Sequence, residues 1–309
     1  MENEKIINWL LEGDISIQYQ VHRDLLSAHR EDLRNRIASE GWGFKYLSFQ
    51  KGNGHWGRKF YQPKWTSTHY TLLDLKNLGI SPKNPKIRRT IIMLLEQEKG
   101  EDGGINPSGT IKNSDVCLNG MVLNYASYFE MDERKLQSIV DFILLQRMYD
   151  GGFNCRLNRS GAKHSSLHST LSVLEGILEY SLNGYSYRLP ELKEVERTSR
   201  EFILKHRLYI SDKTNEIINN NFLKLPYPSR WKYDILRALD YFRLSKIPFD
   251  GRMKPAIDVL IKKRKKNKYW LLQAKHPGQT HFDMEEVGKP SRWNTLRALR
   301  VLGHFRIND

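Results

Sequence analysis

The sequence predicts an all-α fold, a ring of helical hairpins around a central cavity. Three observations predict it. A loop-then-helix unit recurs about every fifty residues, and repeats of that length are built from stacked helix pairs. Asp102-Gly103-Gly104-Ile105 precedes the stretch from Asp115 to Leu123, and Asp150-Gly151-Gly152-Phe153 precedes the stretch from His168 to Gly176. A further copy begins at Trp65-Thr66-Ser67-Thr68-His69 and runs into Leu72, Leu73 and Leu75. Finally, helices without a partner are predicted at both ends, which lets a linear array close on itself.

Each element follows from local pattern. Asp14 is a natural cap for a helix beginning at Ile15, whose apolar spacing continues to Leu26. A second helix is predicted over 31–49. Four pairs follow: 67–78 with 85–98, 114–129 with 132–147, 166–182 with 190–206, and 229–244 with 253–266. A last helix covers 291–305. Residues 1–50 are thus expected as helices that pack on and close the ring, and 51–309 as the repeats of a single domain.

Hydrophobic residues at 39% and charged ones at 28% suit a folded helical chain rather than a disordered one. No apolar run is long enough to span a membrane, and Met1-Glu2-Asn3-Glu4-Lys5 lacks the features of a secretory signal. Two cysteines, Cys117 and Cys155, make no disulfide framework, so a cytoplasmic protein is expected. The net charge of +15 favours anionic partners. Its densest run, Ile261 to Lys268, falls at a predicted helix end, where cations complement the helix dipole. No nucleic-acid-binding motif is present, and nucleic acid is not an expected partner. A protein partner is not identified.

One position recurs at the helix starts. His69, Cys117, His168, Tyr233 and Trp293 each stand six residues before a Leu: Leu75, Leu123, Leu174, Leu239 and Leu299. The last two are aligned through Leu-Arg-Ala-Leu, present at 236–239 and 296–299. Polar and aromatic residues where a core would take Leu or Val predict the mouth of a cavity, with Trp56, Trp65, Tyr70 and Phe153 extending its aromatic wall. Pro-Ser-Arg-Trp occurs twice, at 228–231 and 290–293. Ser229 and Ser291 are natural N-caps. Arg230 and Arg292 offer forks for a phosphate or carboxylate, and Trp231 and Trp293 offer π faces. Shared helix-start packing accounts for the doubling equally well.

With its Asp-Gly-Gly loops and paired helices, the chain resembles the α/α toroid of terpenoid cyclases and protein prenyltransferase β-subunits over about residues 50–309. The prenyltransferase zinc site is matched locally by Lys112-Asn113-Ser114-Asp115-Val116-Cys117 with His168 opening the next repeat. The resemblance implies Zn²⁺ on Asp115, Cys117 and His168, with Lys112 on a diphosphate. Carboxylate, thiolate and imidazole leave a fourth position at which zinc activates a thiol or water. The alternative is that Asp115 caps a helix, Cys117 is a small buried hydrophobe and His168 is polar lining. The loops before Asp115 and His168 are longer than the family's, and Pro107-Ser108-Gly109 stands where that family keeps an Arg. The three-Asp motif of cyclases is absent. The nearest stretch, Asp283-Met284-Glu285-Glu286, offers Asp283 and Glu285 as catalytic acids or as an acidic loop at a helix N-terminus.

Three functions compete at this point. The first is an isoprenoid-handling cyclase or transferase binding an isoprenoid or isoprenyl diphosphate in an aromatic, basic-rimmed cavity. The second is a lyase acting on an acidic polysaccharide through His69, Tyr70, Tyr233 and Arg230. The third is a non-catalytic ring that binds a peptide or lipid.

Overall fold

The computed structural model describes residues 2–108 and 111–307. Its helices are α1 Glu2–Leu11, α2 Ile15–Asp24, α3 Glu31–Arg36, α4 Gly41–Ser48, α5 Thr68–Leu78, α6 Pro85–Gln97 and α7 Val116–Tyr128. They continue as α8 Glu133–Leu145, α9 Leu157–Ser160, α10 Leu167–Leu182, α11 Leu189–Lys205, α12 Ile235–Leu244, α13 Lys254–Lys262 and α14 Arg292–His304. The only sheet among the described residues is a two-residue antiparallel ladder of β1 Trp270–Leu271 and β2 Pro290–Ser291. None of the described helices is long and apolar enough to cross a membrane.

The helices form two layers, and their composition says which is which. In α7 every residue from Leu118 to Ser127 is buried, and α10 is buried from Ser169 to Leu174 and again from Gly176 to Tyr180. A helix covered on all sides belongs inside. In α8 only Leu136, Ile139, Val140, Phe142 and Ile143 are buried, a one-sided stripe, and α6 and α13 share that pattern. These form the outer layer. The inner helices touch in sequence, α4 on α5, α5 on α7, α7 on α10, α12 on α14, α14 on α2 and α2 on α4. Between α10 and α12 the ring is bridged by Arg237, whose Nε and Nη2 donate to Glu175 (2.8 and 2.5 Å). The N-terminal helices therefore complete the circle with α14.

The closest crossing, α7 on α10, is made by glycines. A Cβ on Gly120 would lie 2.7 Å from the Ser172 carbonyl oxygen, and one on Gly176 would lie 2.3 Å from that of Gly120. The Asp-Gly-Gly loops are clamps for the next inner helix. Asp102 accepts from the Ser114 N–H (2.7 Å) and hydroxyl (2.6 Å), and Asp150 accepts from the Ser165 N–H (2.8 Å) and hydroxyl. The residue after each loop then docks its N–H on a helix-start oxygen. Trp56 binds Thr68 (3.0 Å), Ile105 binds Asn119 (2.7 Å), Phe153 binds Thr170 (3.0 Å) and Trp270 binds Thr295 (3.0 Å).

Three expected elements differ. The helix predicted over 31–49 breaks into α3 and α4, because Asp14 accepts from the Trp42 N–H (2.8 Å) beside Gly41, whose φ is +59°. The helix predicted from 229 begins at Ile235, with Asp234 as its cap, accepting from the Arg237 N–H (2.8 Å). The helix predicted to 266 ends at Lys262, and residues 265–268 fold into a turn that returns the Lys265 N–H to the Tyr269 carbonyl (2.9 Å).

Candidate functional site: an arginine-floored central cavity

The ring encloses a cavity of about 380 Å³. Its walls come from the later turns of α2, α5, α7, α10 and α12, from α14, and from the 227–230 loop. Apolar parts are contributed by Leu73, Leu178, Leu182, Leu244, Tyr227 and Trp293. The charged lining holds seven cations (Arg23, Lys76, Arg230, Arg237, Arg243, Arg297, Arg300) against four carboxylates (Asp24, Glu175, Glu179, Asp240). That excess matters because buried charges are tolerated only when paired.

Most of these cations are paired. Lys76 meets Glu179 at 2.9 Å, Arg237 holds Glu175, and Arg300 bonds Asp24 (2.7 Å) and Asp240 (2.9 Å). Arg300 holds Asp240 far below the usual carboxylate range despite full burial. Arg230 and Arg297 differ. Both are about 95% buried, yet Arg230 approaches Asp74 only to 3.9 Å, and Arg297 approaches Asp234 and Asp240 only to 3.9 Å. Arg230 Nε, Arg297 Nη1 and Trp293 Nε1 are buried donors with no hydrogen-bond partner. Trp293 is fixed in place by stacking on Tyr227, with centroids 4.6 Å apart.

Behind Arg230 stands Asp74, 2% exposed on α5. Its Oδ2 accepts from the Tyr46 hydroxyl (3.0 Å), and its Oδ1 has no partner. Burial pushes its pKa up to about 6, against the pull of Arg230.

The opposite end of the ring, expected as the mouth, is closed. The segment 273–285 crosses it, held where Trp65 Nε1 donates to the Pro277 carbonyl (2.6 Å) and Thr71 Oγ1 meets His281 Nε2 (3.1 Å). Trp56, Trp65, Tyr70 and Phe153 are buried in the core and are not cavity wall. His69 is fully buried, its Nδ1 3.3 Å from the Tyr125 hydroxyl, and burial lowers its pKa to about 3. It is also out of register. The shared docking oxygens are Thr68, Asn119, Thr170 and Thr295, so Cys117, His168 and Trp293 correspond to Thr66, and His69 corresponds to Gly120. Tyr70 is spent on Tyr61 (3.0 Å), and Tyr233 donates to the Leu208 carbonyl (2.6 Å).

The zinc set does not fit the residues as placed. Asp115 is ion-paired with Arg159, and His168 Nδ1 accepts from the Tyr233 N–H (2.7 Å). His168 is packed against Trp231 and Phe222, and burial lowers its pKa to about 4. Cys117 faces Cys155 instead, its N–H donating to that sulfur (3.2 Å). Among the described residues no three His, Cys, Asp or Glu side chains gather as a metal site. Lys112 is exposed on its loop and lies outside the cavity lining.

The acid pair and the doubled motif also resolve differently. Asp283 is exposed and paired with Lys275 (2.5 Å). Glu285 covers the start of α14, accepting from the N–H groups of Arg292 (2.7 Å) and Trp293 (3.2 Å), so neither faces the cavity. Arg292 turns outward to the Trp9 carbonyl (2.9 Å), whereas Arg230 turns inward, so the two form no clamp. Trp231 lies against His168 and under Lys232 (4.3 Å), outside the cavity. Of the predicted substrate-binding residues the cavity gathers Arg230 and Trp293. It adds Arg237, Arg297, Arg300 and Lys76, which are not among the predicted site residues. Leu-Arg-Ala-Leu carries a signal for two of them, because it sets Arg237 in the first turn of α12 and Arg297 midway along α14, each between apolar residues of an inner helix.

No family model matches the sequence, and no curated protein does. Two solved structures of variants of the type II terpene cyclase MstE from Scytonema are similar in chain course. One, in complex with its product merosterolic acid A, has a TM-score of 0.47 at 11% identity, covering 94% of this chain and 87% of that one. The other, in complex with its substrate geranylgeranyl dihydroxybenzoate, has a TM-score of 0.33 at 11% identity, covering 89% and 97%.

Proposed function

We propose that the ring binds a small anionic molecule in its central cavity, with an oxyanion seated on Arg230, Arg297 and Trp293. The observation that carries this is that Arg230, Arg297 and Trp293 line one cavity, whose lining holds more cations than carboxylates, and each has a buried donor without an acceptor. A charge-assisted bond to an anion satisfies such donors, and a neutral hydrocarbon leaves them desolvated and unpaired. An uncharged isoprenoid is therefore disfavoured. An isoprenyl diphosphate meets both halves of the lining, its diphosphate on the arginines and its chain along Leu73, Leu178 and Leu182. A sugar acid is the second reading, favoured by Gln20, Asn77 and Asn124 on the same wall.

Calorimetric titration of the purified chain with pyrophosphate, geranyl diphosphate, geraniol and galacturonate tests this. The diphosphates or the sugar acid should bind and geraniol should not. Binding of geraniol as tightly as its diphosphate, or of none of the anions, overturns the reading.

A further inference from the structure

The chain has two cysteines, 38 positions apart in sequence, and the fold brings them together. Cys117 lies in the first turn of α7, and Cys155 in the loop between Phe153 and α9. The helix start explains their meeting. Asp115 is the N-cap residue by position, but its carboxylate is taken by Arg159 and makes no capping bond. The Cys155 sulfur occupies the vacated role, accepting from the Cys117 N–H at 3.2 Å. It also accepts from the Ser169 hydroxyl at 3.4 Å. A sulfur at a helix N-terminus with two donors aimed at it is set up as a thiolate, since the dipole and the hydrogen bonds both favour the charged form.

We propose that Cys155 and Cys117 form a reversible oxidation site, with Cys155 as the attacking thiolate and Cys117 as the resolving thiol. The substrate class is a small disulfide such as oxidised glutathione. The Cys155 thiolate attacks one sulfur of that disulfide, whose S–S bond breaks, and one glutathione thiolate leaves and takes up a proton. Cys117 then gives up its proton and attacks the Cys155 sulfur, releasing the second glutathione and leaving a 117–155 disulfide. Two electrons pass from the cysteine pair to the oxidant, which is reduced to two thiols. Both residues are partly exposed. The asymmetry has a second support. Hydrogen bonding from Cys117 holds the Cys155 thiol below its ordinary range, whereas sharing its proton with Cys155, together with burial, pushes Cys117 up. The bond would staple the start of α7 to the loop that leads into α10.

The test treats the full folded chain with graded oxidised and reduced glutathione, quenches with acid, and reads the thiols by alkylation and non-reducing peptide mapping. The expected product is an intramolecular 117–155 disulfide, reversed by dithiothreitol. Cys117→Ser should accumulate one glutathione on Cys155, and Cys155→Ser should react at Cys117 about tenfold more slowly. A urea-unfolded sample, in which the two thiols should react alike, shows whether the difference belongs to the fold. Two free thiols persisting in the folded chain at oxidising ratios, or Cys117 reacting first, overturns the proposal.

Discussion

Replacing Arg297 by Met separates binding from stability. The guanidinium sits 3.9 Å from Asp234 and from Asp240. At an effective dielectric of about 20 each attraction is roughly 4 kcal/mol in gross terms. Against it stand the desolvation of a buried cation, several kcal/mol, and repulsion from the other arginines of the wall. Neither carboxylate is orphaned by the change. Asp234 keeps the Arg237 N–H and the Ser229 hydroxyl (2.8 and 2.9 Å), and Asp240 keeps Arg300 and Arg243 (2.9 and 2.8 Å). The net stability change should therefore stay within about 2 kcal/mol of either sign, a shift of a few degrees in Tm. An anion, by contrast, loses a charge-assisted bond of about 1.5–3 kcal/mol, weakening it roughly 10- to 100-fold. Differential scanning calorimetry and pyrophosphate titration on the same sample read both quantities. A variant that unfolds far more easily, or that binds pyrophosphate like wild type, refutes the reasoning.

Removing Glu175 is predicted to act oppositely. Glu175→Ala strands Arg237 in the ring wall and should cost about 3–5 kcal/mol by urea unfolding, with much of it recovered in the double change with Arg237→Leu. Gly120→Ala places a methyl against the α10 backbone, so a Tm loss equivalent to about 1–3 kcal/mol is expected despite alanine's better helix propensity, and a gain would contradict the close crossing. His69, His168, His276 and His281 are held below the usual histidine value, to about 3 for the first and about 4 for the others, chiefly by burial. The unfolded chain binds more protons there, so stability should fall as pH drops below about 6.5 toward 4, and a flat Tm profile over that range would be inconsistent. Asp74 runs the other way. Its pKa is raised to about 6, so the folded chain binds the extra proton between about 4 and 6 and loses stability as pH rises through that window. Asp74→Asn should gain on wild type by up to about 3 kcal/mol between those limits, and a pH-independent difference would show that Asp74 does not titrate there.

The parts of the fold that rest on local chemistry were legible. The Asp-Gly-Gly loops, the cap at Asp14 and the inner-outer pairing follow from spacing alone, and the structure adds that Asp102 and Asp150 clamp the serines ahead of the next helix. What spacing could not carry was tertiary. The same Pro-Ser-Arg-Trp starts a helix at Ser291 because Glu285 receives the first free N–H groups. It fails at Ser229, where Asp234 takes the cap. Counting six residues back from Leu75 reached His69, although the docking oxygen beside it, Thr68, sets the register. The cavity was misplaced for a related reason. Polar residues at the helix starts point to a mouth there, whereas the cavity lies among charges carried by the inner helices, Glu175, Arg237, Asp240, Arg297 and Arg300. A charge within a helix buried on all sides was the stronger signal, because burial without a partner is costly.

The most direct measurement is an anomalous difference map from crystals soaked with selenate or tungstate. The account predicts an ordered anion inside the ring, within hydrogen-bonding reach of Arg230, Arg297 and the Trp293 indole nitrogen. Anions found only along the exposed lysines of 262–268, with the ring empty at saturating concentration, would contradict it.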